Sequence, residues 1–374
     1  MKVLPCTREH IPAVVELLAD RPAKDDPDRQ AELDRYWETI YFDNPWYDPE
    51  LPSLVCEGAG GRLEGFYGAM PRPMVFNDRP VRAVAASNFW VRGATPGAGN
   101  PLIAIKLMKQ FLDGPQDLSV ANGATWPSRK IWEACGGVAV PLYSFDWLRP
   151  IRPAGALLEL AEFQRGRPTK GGLRRLAAAA DLLGFRLARR YLPNRGAAYS
   201  LDQLDPRRAV EIVARAPGFA LRPRYDPASF GWLLDMCRRS GVGNGSRAAV
   251  VHGQTRSEEI GSFVYLQHKE KVGQVVQLMA APGHLATVLR AVIADASAQG
   301  IVLLRGEVDP AADLQAYRDT ACLVNTGRWM LVHARQPALV EAFIQGRALF
   351  TSLDGERWLM QVGRAGLRPP PRSD

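Results

Sequence analysis

A short glycine turn, Gly97-Ala98-Gly99, stands directly before Asn100 and Pro101. Asparagine is favoured at the N-cap of a helix and proline at its first position, so we expect a helix to begin at Pro101. Backbone N–H groups of the turn and of the helix N-terminus would converge on one place, which the helix dipole makes positive. This spacing predicts a cradle for an anionic group such as a pyrophosphate.

The segments on both sides of the turn alternate between the periods of strands and helices. Before it, short apolar segments separated by tight turns indicate antiparallel strands between residues 54 and 92. After it, apolar residues recur at helical spacing over residues 102–112, and a strand and a second helix follow. We therefore expect residues 1–150 to form a mixed, mostly antiparallel sheet flanked by helices.

The second half of the chain repeats this layout in a weaker form. Strand, strand, glycine turn, helix and strand follow one another at residues 260–268, 272–279, 282–283, 285–298 and 301–305. We interpret the repeat as a divergent internal duplication. It predicts an α/β (α+β) chain with an N-terminal domain at 1–150, a basic helical linker at 151–196 and a C-terminal domain at 197–374.

The composition argues against several classes of protein. The chain has no run of about 18 apolar residues, and charges stand where a signal peptide would need its apolar region, so we expect a cytoplasmic protein. The five cysteines are isolated, which argues against a disulfide framework and a thiolate metal site. Because the five histidines also lack metal-binding spacings, we expect no metal.

The formal net charge of +8 favours acidic partners in general. Part of it lies on an amphipathic segment that interleaves leucines with Arg174, Arg175, Arg186, Arg189 and Arg190. Such a helix could lie on an anionic membrane or bind tRNA. We favour a simpler interpretation, a solvated helix that packs its leucines on a neighbouring domain.

Two segments resemble the GNAT acyltransferase superfamily. Its members hold the pyrophosphate of acyl-coenzyme A on an R/Q-x-x-G-x-G/A loop, and residues 94–99 match both glycines but have Ala94 in place of the Arg or Gln. Residues 122–137 resemble the family's N-x-x-A/S-x-x-x-Y-x-x-x-G-F segment, with Trp132 at the tyrosine position. The resemblance implies two GNAT-like domains, each a mixed sheet flanked by helices.

The resemblance also implies where the site lies. An oxyanion would be held by backbone amides around Trp90, with Asn88 as a further hydrogen-bonding group. The family's tyrosine often protonates the leaving thiolate; an indole cannot, so this role would pass to Ser128, Tyr143 or a bound water. The residues expected to contact the acyl-coenzyme A are Val91, Arg92, Gly97, Ala98, Gly99, Asn100, Leu102, Asn122, Ser128 and Trp132. Those expected to line the acceptor side are Tyr41, Asp43, Tyr47 and Tyr67.

The leading prediction is a transferase that moves an acyl group from acetyl-coenzyme A, another acyl-coenzyme A or an acyl carrier thioester to an amine-bearing small molecule. One alternative is an aminoacyl-tRNA-dependent transferase similar to the Fem enzymes. Another is a catalytically degenerate GNAT fold kept as a binding or scaffold module. The sequence leaves the general base open. Glu307 and Asp309 follow a strand, where sites gather in such sheets, but solvated loop carboxylates are the simpler interpretation.

Overall fold

The fold is taken from a computed structural model of the chain. It describes residues 1–18, 27–93, 100–165, 171–188, 199–240, 245–255, 257–268 and 271–359. The residues that lie outside these ranges include Ala94, the glycine turn Gly97-Ala98-Gly99, Arg189 and Arg190.

The described part of the chain contains seventeen strands and eleven α-helices. The strands are β1 (Lys2–Pro5), β2 (Leu54–Glu57), β3 (Leu63–Pro71), β4 (Met74–Phe76), β5 (Arg79–Val81), β6 (Ala83–Val91), β7 (Leu118–Ala124), β8 (Val138–Ala139), β9 (Phe145–Pro150), β10 (Ser200–Gln203), β11 (Leu221–Pro223), β12 (Ser246–His252), β13 (Glu259–Gln267), β14 (Val272–Ala280), β15 (Leu303–Glu307), β16 (Leu323–Thr326) and β17 (Trp329–Ala334). The helices are α1 (Ile11–Leu18), α2 (Pro27–Tyr41), α3 (Pro101–Leu112), α4 (Trp126–Ala134), α5 (Pro153–Arg165), α6 (Gly171–Ala188), α7 (Pro206–Arg215), α8 (Pro227–Ser240), α9 (Leu285–Ala298), α10 (Leu314–Asp319) and α11 (Pro337–Ile344).

Two seven-stranded sheets share one pattern of pairing. Their strand orders are β1-β2-β3-β6-β7-β17-β8 and β10-β12-β13-β14-β15-β9-β16, and β4, β5 and β11 form a third, small sheet. In each large sheet one pair is parallel, β6 with β7 and β14 with β15, while the other neighbours are antiparallel. The expected fold class, two mixed and mostly antiparallel sheets flanked by helices, is confirmed.

The two halves of the chain exchange strands. β17 lies in the first sheet, where Leu331 is opposite both Ala121 of β7 and Ala139 of β8. β9 lies in the second sheet, where Leu148 is opposite Arg305 of β15. Each sheet is therefore completed by a strand from the other half. The division at 1–150, 151–196 and 197–374 stays a prediction, to which the structure adds this exchange.

Helix α3 begins as the capping residues predict. It starts at Pro101, and the Asn100 side chain accepts a hydrogen bond from the Leu102 N–H at 3.0 Å. Its inner face buries Ile103, Leu107 and other apolar side chains against the first sheet. The dipole-positive end of α3 therefore stands just beyond the carboxyl end of β6.

Separate apolar clusters cover the faces of the sheets. On the first sheet, α3 and α4 pack on one face and α1 and α2 on the other, while α9 covers a face of the second sheet. Within the described residues, no helix has the length and apolar character needed to cross a membrane.

Candidate active site

The two central strands of the first sheet separate towards their carboxyl ends. β6 and β7 pair in parallel at three positions, the last being Ala85 opposite Val120. β6 continues to Val91 and β7 to Ala124, and along these described lengths the two strands share no later pairing. The separation leaves a wedge between them, called the first wedge below. Strand backbone in such a gap must find other hydrogen-bond partners.

A β-bulge in β6 marks the start of the first wedge. Gly68 of β3 is opposite Ser87, but Phe66 is opposite Trp90, so β6 accommodates one extra residue. Asn88 lies in this bulge with a φ of 48°, a left-handed conformation that asparagine tolerates better than most residues. The bulge frees the Asn88 N–H from the ladder with β3.

Glu356 occupies the first wedge from a distant part of the chain. Its Oε2 accepts a hydrogen bond from the Asn88 N–H at 2.8 Å, and its own N–H donates to Asn122 Oδ1 at 3.1 Å. Gly123 leaves the room for this carboxylate, because a Cβ there would collide with Oε1. Burial raises the pKa of Glu356, while the Asn88 N–H and the nearby Arg328 and Arg357 act in the opposite direction.

A largely buried ion cluster lies beside Glu356, with side chains 14–19% exposed. Arg357 donates to both carboxylate oxygens of Asp146 at 2.8 and 2.9 Å and to Glu307 at 2.9 Å. Asn122 also donates to Glu307, at 3.3 Å. Burial raises the pKa of Glu307, while the guanidinium of Arg357 opposes that rise. The cluster joins the first sheet, through Asn122, to β9 and β15 of the second sheet.

The residues around Glu356 also contact the second sheet at the corresponding position, where its central strands β14 and β15 pair in parallel. β14 has a bulge beside its parallel partner β15, as β6 has. Leu353 donates its N–H to the Val276 carbonyl at 2.9 Å, and Gln274 donates to the Arg357 carbonyl at 2.8 Å. Residues 351–359, called the closing segment below, therefore contact both the first wedge and strand β14 of the second sheet.

Comparison with known proteins identifies this architecture. No protein-family model and no curated protein matches the chain. Solved structures do match it. Among them are a conserved protein of unknown function from Enterococcus faecalis V583, described as a probable N-acyltransferase (10% identity, TM-score 0.52, 89% of this chain and 72% of that one), and GCN5-related N-acetyltransferases from Kribbella flavida (14%, 0.50, 88% and 71%) and Anabaena variabilis ATCC 29413 (11%, 0.52, 88% and 72%). The chain has the GNAT fold. At these identities the likeness concerns the fold alone.

Two of the predicted acceptor-side tyrosines lie on opposite faces of the first GNAT sheet. The Tyr41 hydroxyl accepts a hydrogen bond from Asn88 Nδ2 at 2.9 Å and meets Ser87 Oγ at 3.1 Å, so it supports the bulge. Tyr67 is buried on the α3 face, where its hydroxyl donates to Met108 Sδ at 3.4 Å. Tyr41 thus lies next to the first wedge, whereas Tyr67 packs in the hydrophobic core under α3.

The other two predicted acceptor residues lie at the surface. Asp43 pairs with Arg8 at 2.5 Å, with both side chains about half exposed. Tyr47 is 46% exposed and, with Trp46 and Tyr225, lines a cavity of about 710 Å³. This cavity adjoins the closing segment because the Tyr225 hydroxyl bonds to the Asp354 carboxylate.

The residues of β6 and α3 that are predicted to contact acyl-coenzyme A differ in their burial and in their contacts. Trp90 is partly buried, and Val91 belongs to the core under α3. Arg92 Nε donates to the Leu63 carbonyl at 3.0 Å, which holds the side chain near the end of β6. Leu102, in the first turn of α3, is 61% exposed. Their contacts with acyl-coenzyme A stay predictions, and Gly97, Ala98 and Gly99 lie outside the described residues.

Helix α4 holds two more of the predicted residues. Ser128 meets the N-cap residue Thr125, with the two hydroxyl oxygens 3.0 Å apart. Trp132 is fully buried and donates its Nε1–H to the Val332 carbonyl of β17 at 3.2 Å. At the tyrosine position of the GNAT pattern, the indole therefore ties α4 to the exchanged strand.

Tyr143 is tied to the backbone of one residue. Its hydroxyl donates to the Ala348 carbonyl at 2.6 Å and accepts from the Ala348 N–H at 3.1 Å. Burial raises its pKa. Of the predicted site residues, the structure therefore brings Asn88, Asn122 and Tyr41 together at the first wedge. Tyr67, Trp132 and Tyr143 have core partners, and Asp43 and Tyr47 are on the surface.

An aromatic and cationic surface begins where β7 ends. The Arg129 guanidinium lies 3.9 Å from the ring centre of Trp329 and 5.0 Å from that of Trp126. Lys130 Nζ lies 4.6 Å from the same Trp126 ring, which is 49% exposed. Such a surface suits a planar or anionic ligand group. In the described ranges, no group of three or more His, Cys, Asp or Glu side chains could hold a metal ion.

The sequence alone does not point to the central charged residues Glu356, Arg357 and Asp146. For Glu307, which follows a strand, a solvated loop is the simpler interpretation of the sequence. Glu356 stands 268 positions after Asn88, its partner in the first wedge. The local sequence Asp354-Gly355-Glu356-Arg357 reads as a polar turn, so no pattern in it signals a buried site.

Proposed function

We propose that this protein is an N-acyltransferase that moves an acyl group from an acyl-coenzyme A to an amine, and that the reaction takes place at the first wedge. The observation that carries the proposal is a partly buried carboxylate, Glu356, held by the Asn88 N–H where the central strands separate. A gap between strands can receive an extended thioester arm, and its backbone N–H groups can bind a carbonyl. The GNAT fold supports this class of reaction.

The proposed chemistry assigns the proton transfer to Glu356. The neutral amine attacks the thioester carbon, and backbone N–H groups after the bulge, around Trp90, stabilise the oxyanion. Glu356 takes one proton from the attacking nitrogen as the carbon–sulfur bond breaks. A pKa raised by burial makes this carboxylate a stronger base. The leaving thiolate has an ordinary thiol pKa of about 8.5, so it can depart without the tyrosine that Trp132 replaces.

The donor would bind along the α3 and α4 side of the first wedge. The capped N-terminus of α3 offers free N–H groups and a positive dipole end to phosphates. On α4, which contacts α3, Arg129 and Lys130 lie against the ring of Trp126, and Arg129 also pairs with Glu133. We propose this surface for the outer part of the coenzyme A.

The acceptor would enter through the cavity lined by Trp46, Tyr47 and Tyr225. Aromatic rings attract cations, so the cavity suits an acceptor that carries a cationic group in addition to the amine that reacts. The charged groups of the lining are already compensated, since Asp48 pairs with Arg82 and Asp226 is balanced by the neighbouring Arg224. Tyr225 contacts Asp354, two residues before Glu356 in the same closing segment. An extended amine in the cavity would therefore lie close to the proposed base.

The test compares Glu356→Gln with the wild-type protein. The amide keeps an oxygen that can accept the Asn88 N–H but cannot take the amine proton. Thiol release from a series of acyl-coenzyme A thioesters with a panel of amines should show kcat lowered about 10²- to 10⁴-fold. Calorimetry should show acyl-coenzyme A affinity unchanged. Glu341→Gln, at an exposed carboxylate on α11, is the matched control.

A second candidate, a binding module without turnover, is favoured by one observation. The Glu356 carboxylate already covers the Asn88 N–H that lies in the first wedge. Acyl-coenzyme A binding without thiol release by the wild-type protein would support this candidate. The absence of any binding heat at millimolar acyl-coenzyme A would overturn both.

A further inference from the structure

The net positive charge of the chain is concentrated in one segment. Residues 149–195 contain eleven Lys and Arg and three Asp and Glu, an excess of eight. The whole chain has a net charge of +8, so the remaining residues are balanced. Helices α5 and α6, which pack on each other as a hairpin, form the described core of this segment.

The three carboxylates of the segment face the inside of the hairpin. Glu159 and Glu162 both pair with Arg174, at 3.3 and 2.6 Å, and both are about nine-tenths buried. Asp181 accepts hydrogen bonds from the N–H groups of Ala154 and Gly155 at the start of α5, both at 2.8 Å. The negative charges are therefore paired within the hairpin, and the basic residues of the segment outnumber them.

Three leucines of the hairpin, in contrast to its carboxylates, are exposed to solvent. Leu157 of α5 is 67% exposed, and Leu173 and Leu176 of α6 are 53% and 70% exposed. Leu173 and Leu176 are three positions apart, so they share one face of the helix, and Arg175 between them is also exposed. Helices α3 and α9 show the usual arrangement, with most of their apolar side chains buried against a sheet.

We propose that the α5–α6 hairpin docks on an anionic lipid bilayer. Such a surface attracts arginine and lysine to its headgroups and takes leucine side chains into the acyl boundary, so it satisfies both features at once. A nucleic acid would neutralise the basic groups but leave the leucines in water. A second copy of the hairpin would cover the leucines but oppose two segments of like charge.

The test uses the full chain and vesicles of two compositions. Co-flotation is measured with phosphatidylcholine vesicles and with vesicles that also contain phosphatidylglycerol. We expect binding to the anionic vesicles alone, weakened by added salt. The paired substitution Leu173→Ser and Leu176→Ser should weaken binding to the anionic vesicles at least about tenfold, since each substitution removes several CH₂ groups that would be buried in the bilayer. The matched control is Leu314→Ser and Leu323→Ser, which changes exposed leucines elsewhere.

Four outcomes would overturn the proposal. Equal binding to the two kinds of vesicle would exclude a role for charge. Binding that is unchanged by the α6 substitutions would exclude a role for the leucines. Binding to mixed-sequence RNA in the absence of vesicle binding would assign the basic surface to nucleic acid. A dimer in sedimentation experiments that the α6 substitutions dissociate would assign the leucines to a second copy. Because the hairpin substitutions lie outside the first wedge, acyl-coenzyme A binding by the same variants reports on the proposed function separately.

Discussion

At the scale of single residues, Glu356 combines a fixed position with an unusual environment. The Asn88 N–H holds one oxygen, and the missing side chain of Gly123 makes room for the other. Arg357 is directed to Asp146 and Glu307, so Glu356 lies near positive charge without being its direct partner. This arrangement leaves the carboxylate free to accept a proton, which the proposed reaction requires.

The pH dependence of activity should report on Glu356. Its pKa is raised from the ordinary value of 4.5 by burial, and only the ionised form can act as a base. We expect kcat to fall with decreasing pH along a limb whose midpoint lies above 4.5. Rate measurements across the acidic range should show this limb in the wild-type protein and not in the residual activity of Glu356→Gln. A limb that persists in the variant would assign it to another group.

Gly123→Ala should displace the carboxylate without unfolding the protein. The new methyl group would collide with Glu356 Oε1, so the side chain must leave its place beside Asn88. We expect kcat to fall at least about tenfold, the cost of misplacing a general base. Gly231→Ala is the control, since a Cβ there meets only Pro206 at 3.5 Å. Full activity of Gly123→Ala would separate Glu356 from the chemistry.

At the scale of elements, the exchanged strand β17 links the edge of the first wedge to helix α4. It pairs with β7 at the edge of the first wedge, and its first residue, Trp329, stacks on Arg129 of α4. Trp132 adds a hydrogen bond from the same helix to the Val332 carbonyl. Helix α4 is therefore positioned by a strand from the far half of the chain.

Trp132→Phe tests the structural role of the indole. It removes the donor to the buried Val332 carbonyl, and leaving such a group unpaired costs about 1–3 kcal/mol. Urea unfolding should show this loss, whereas Trp126→Phe, at a half-exposed site, should change stability by less than about 0.5 kcal/mol. A fall in acyl-coenzyme A affinity with unchanged stability would instead place Trp132 in the donor site.

At the scale of the whole molecule, the two halves meet in a largely buried ion cluster and through exchanged strands. Arg357 joins Asp146 of β9 to Glu307 of β15, and Asn122 extends the cluster into the first sheet. A buried cluster of this kind is sensitive to the loss of one member, because the remaining charges stay desolvated. The integrity of the first wedge thus depends on both halves.

Arg357→Met should destabilise the protein in a pH-dependent way. Removing the cation leaves Asp146 and Glu307 uncompensated, at a cost of about 3–5 kcal/mol. The folded-state pKa of Glu307, already raised by burial, would rise further, so the variant loses stability as pH rises through that pKa and regains it on acidification. Urea unfolding at about pH 5 and about pH 8 should show the larger deficit at the higher pH. Arg207→Met, at an exposed site, is the control; an equal deficit at both pH values would contradict the prediction.

Much of the architecture could be predicted from local signals. Asn100 and Pro101 locate the start of α3 because capping depends on neighbours in the chain. The alternation of strand and helix periods, repeated in the second half, was enough for the fold class. Local signals could not reveal that β9 and β17 change sheets, since strand pairing depends on which edges meet in space.

By itself, the sequence determined the kinds of elements, their order and a duplicated mixed sheet, because periodicity and capping act within a few residues. The sequence also predicts Asn88, Asn122 and Tyr41 as site residues, and the structure brings these three side chains to the first wedge. Only the tertiary structure decided that Glu356 and Arg357 complete that place. They follow Asn88 by more than 260 positions, and their burial and altered pKa values arise from packing between the two halves.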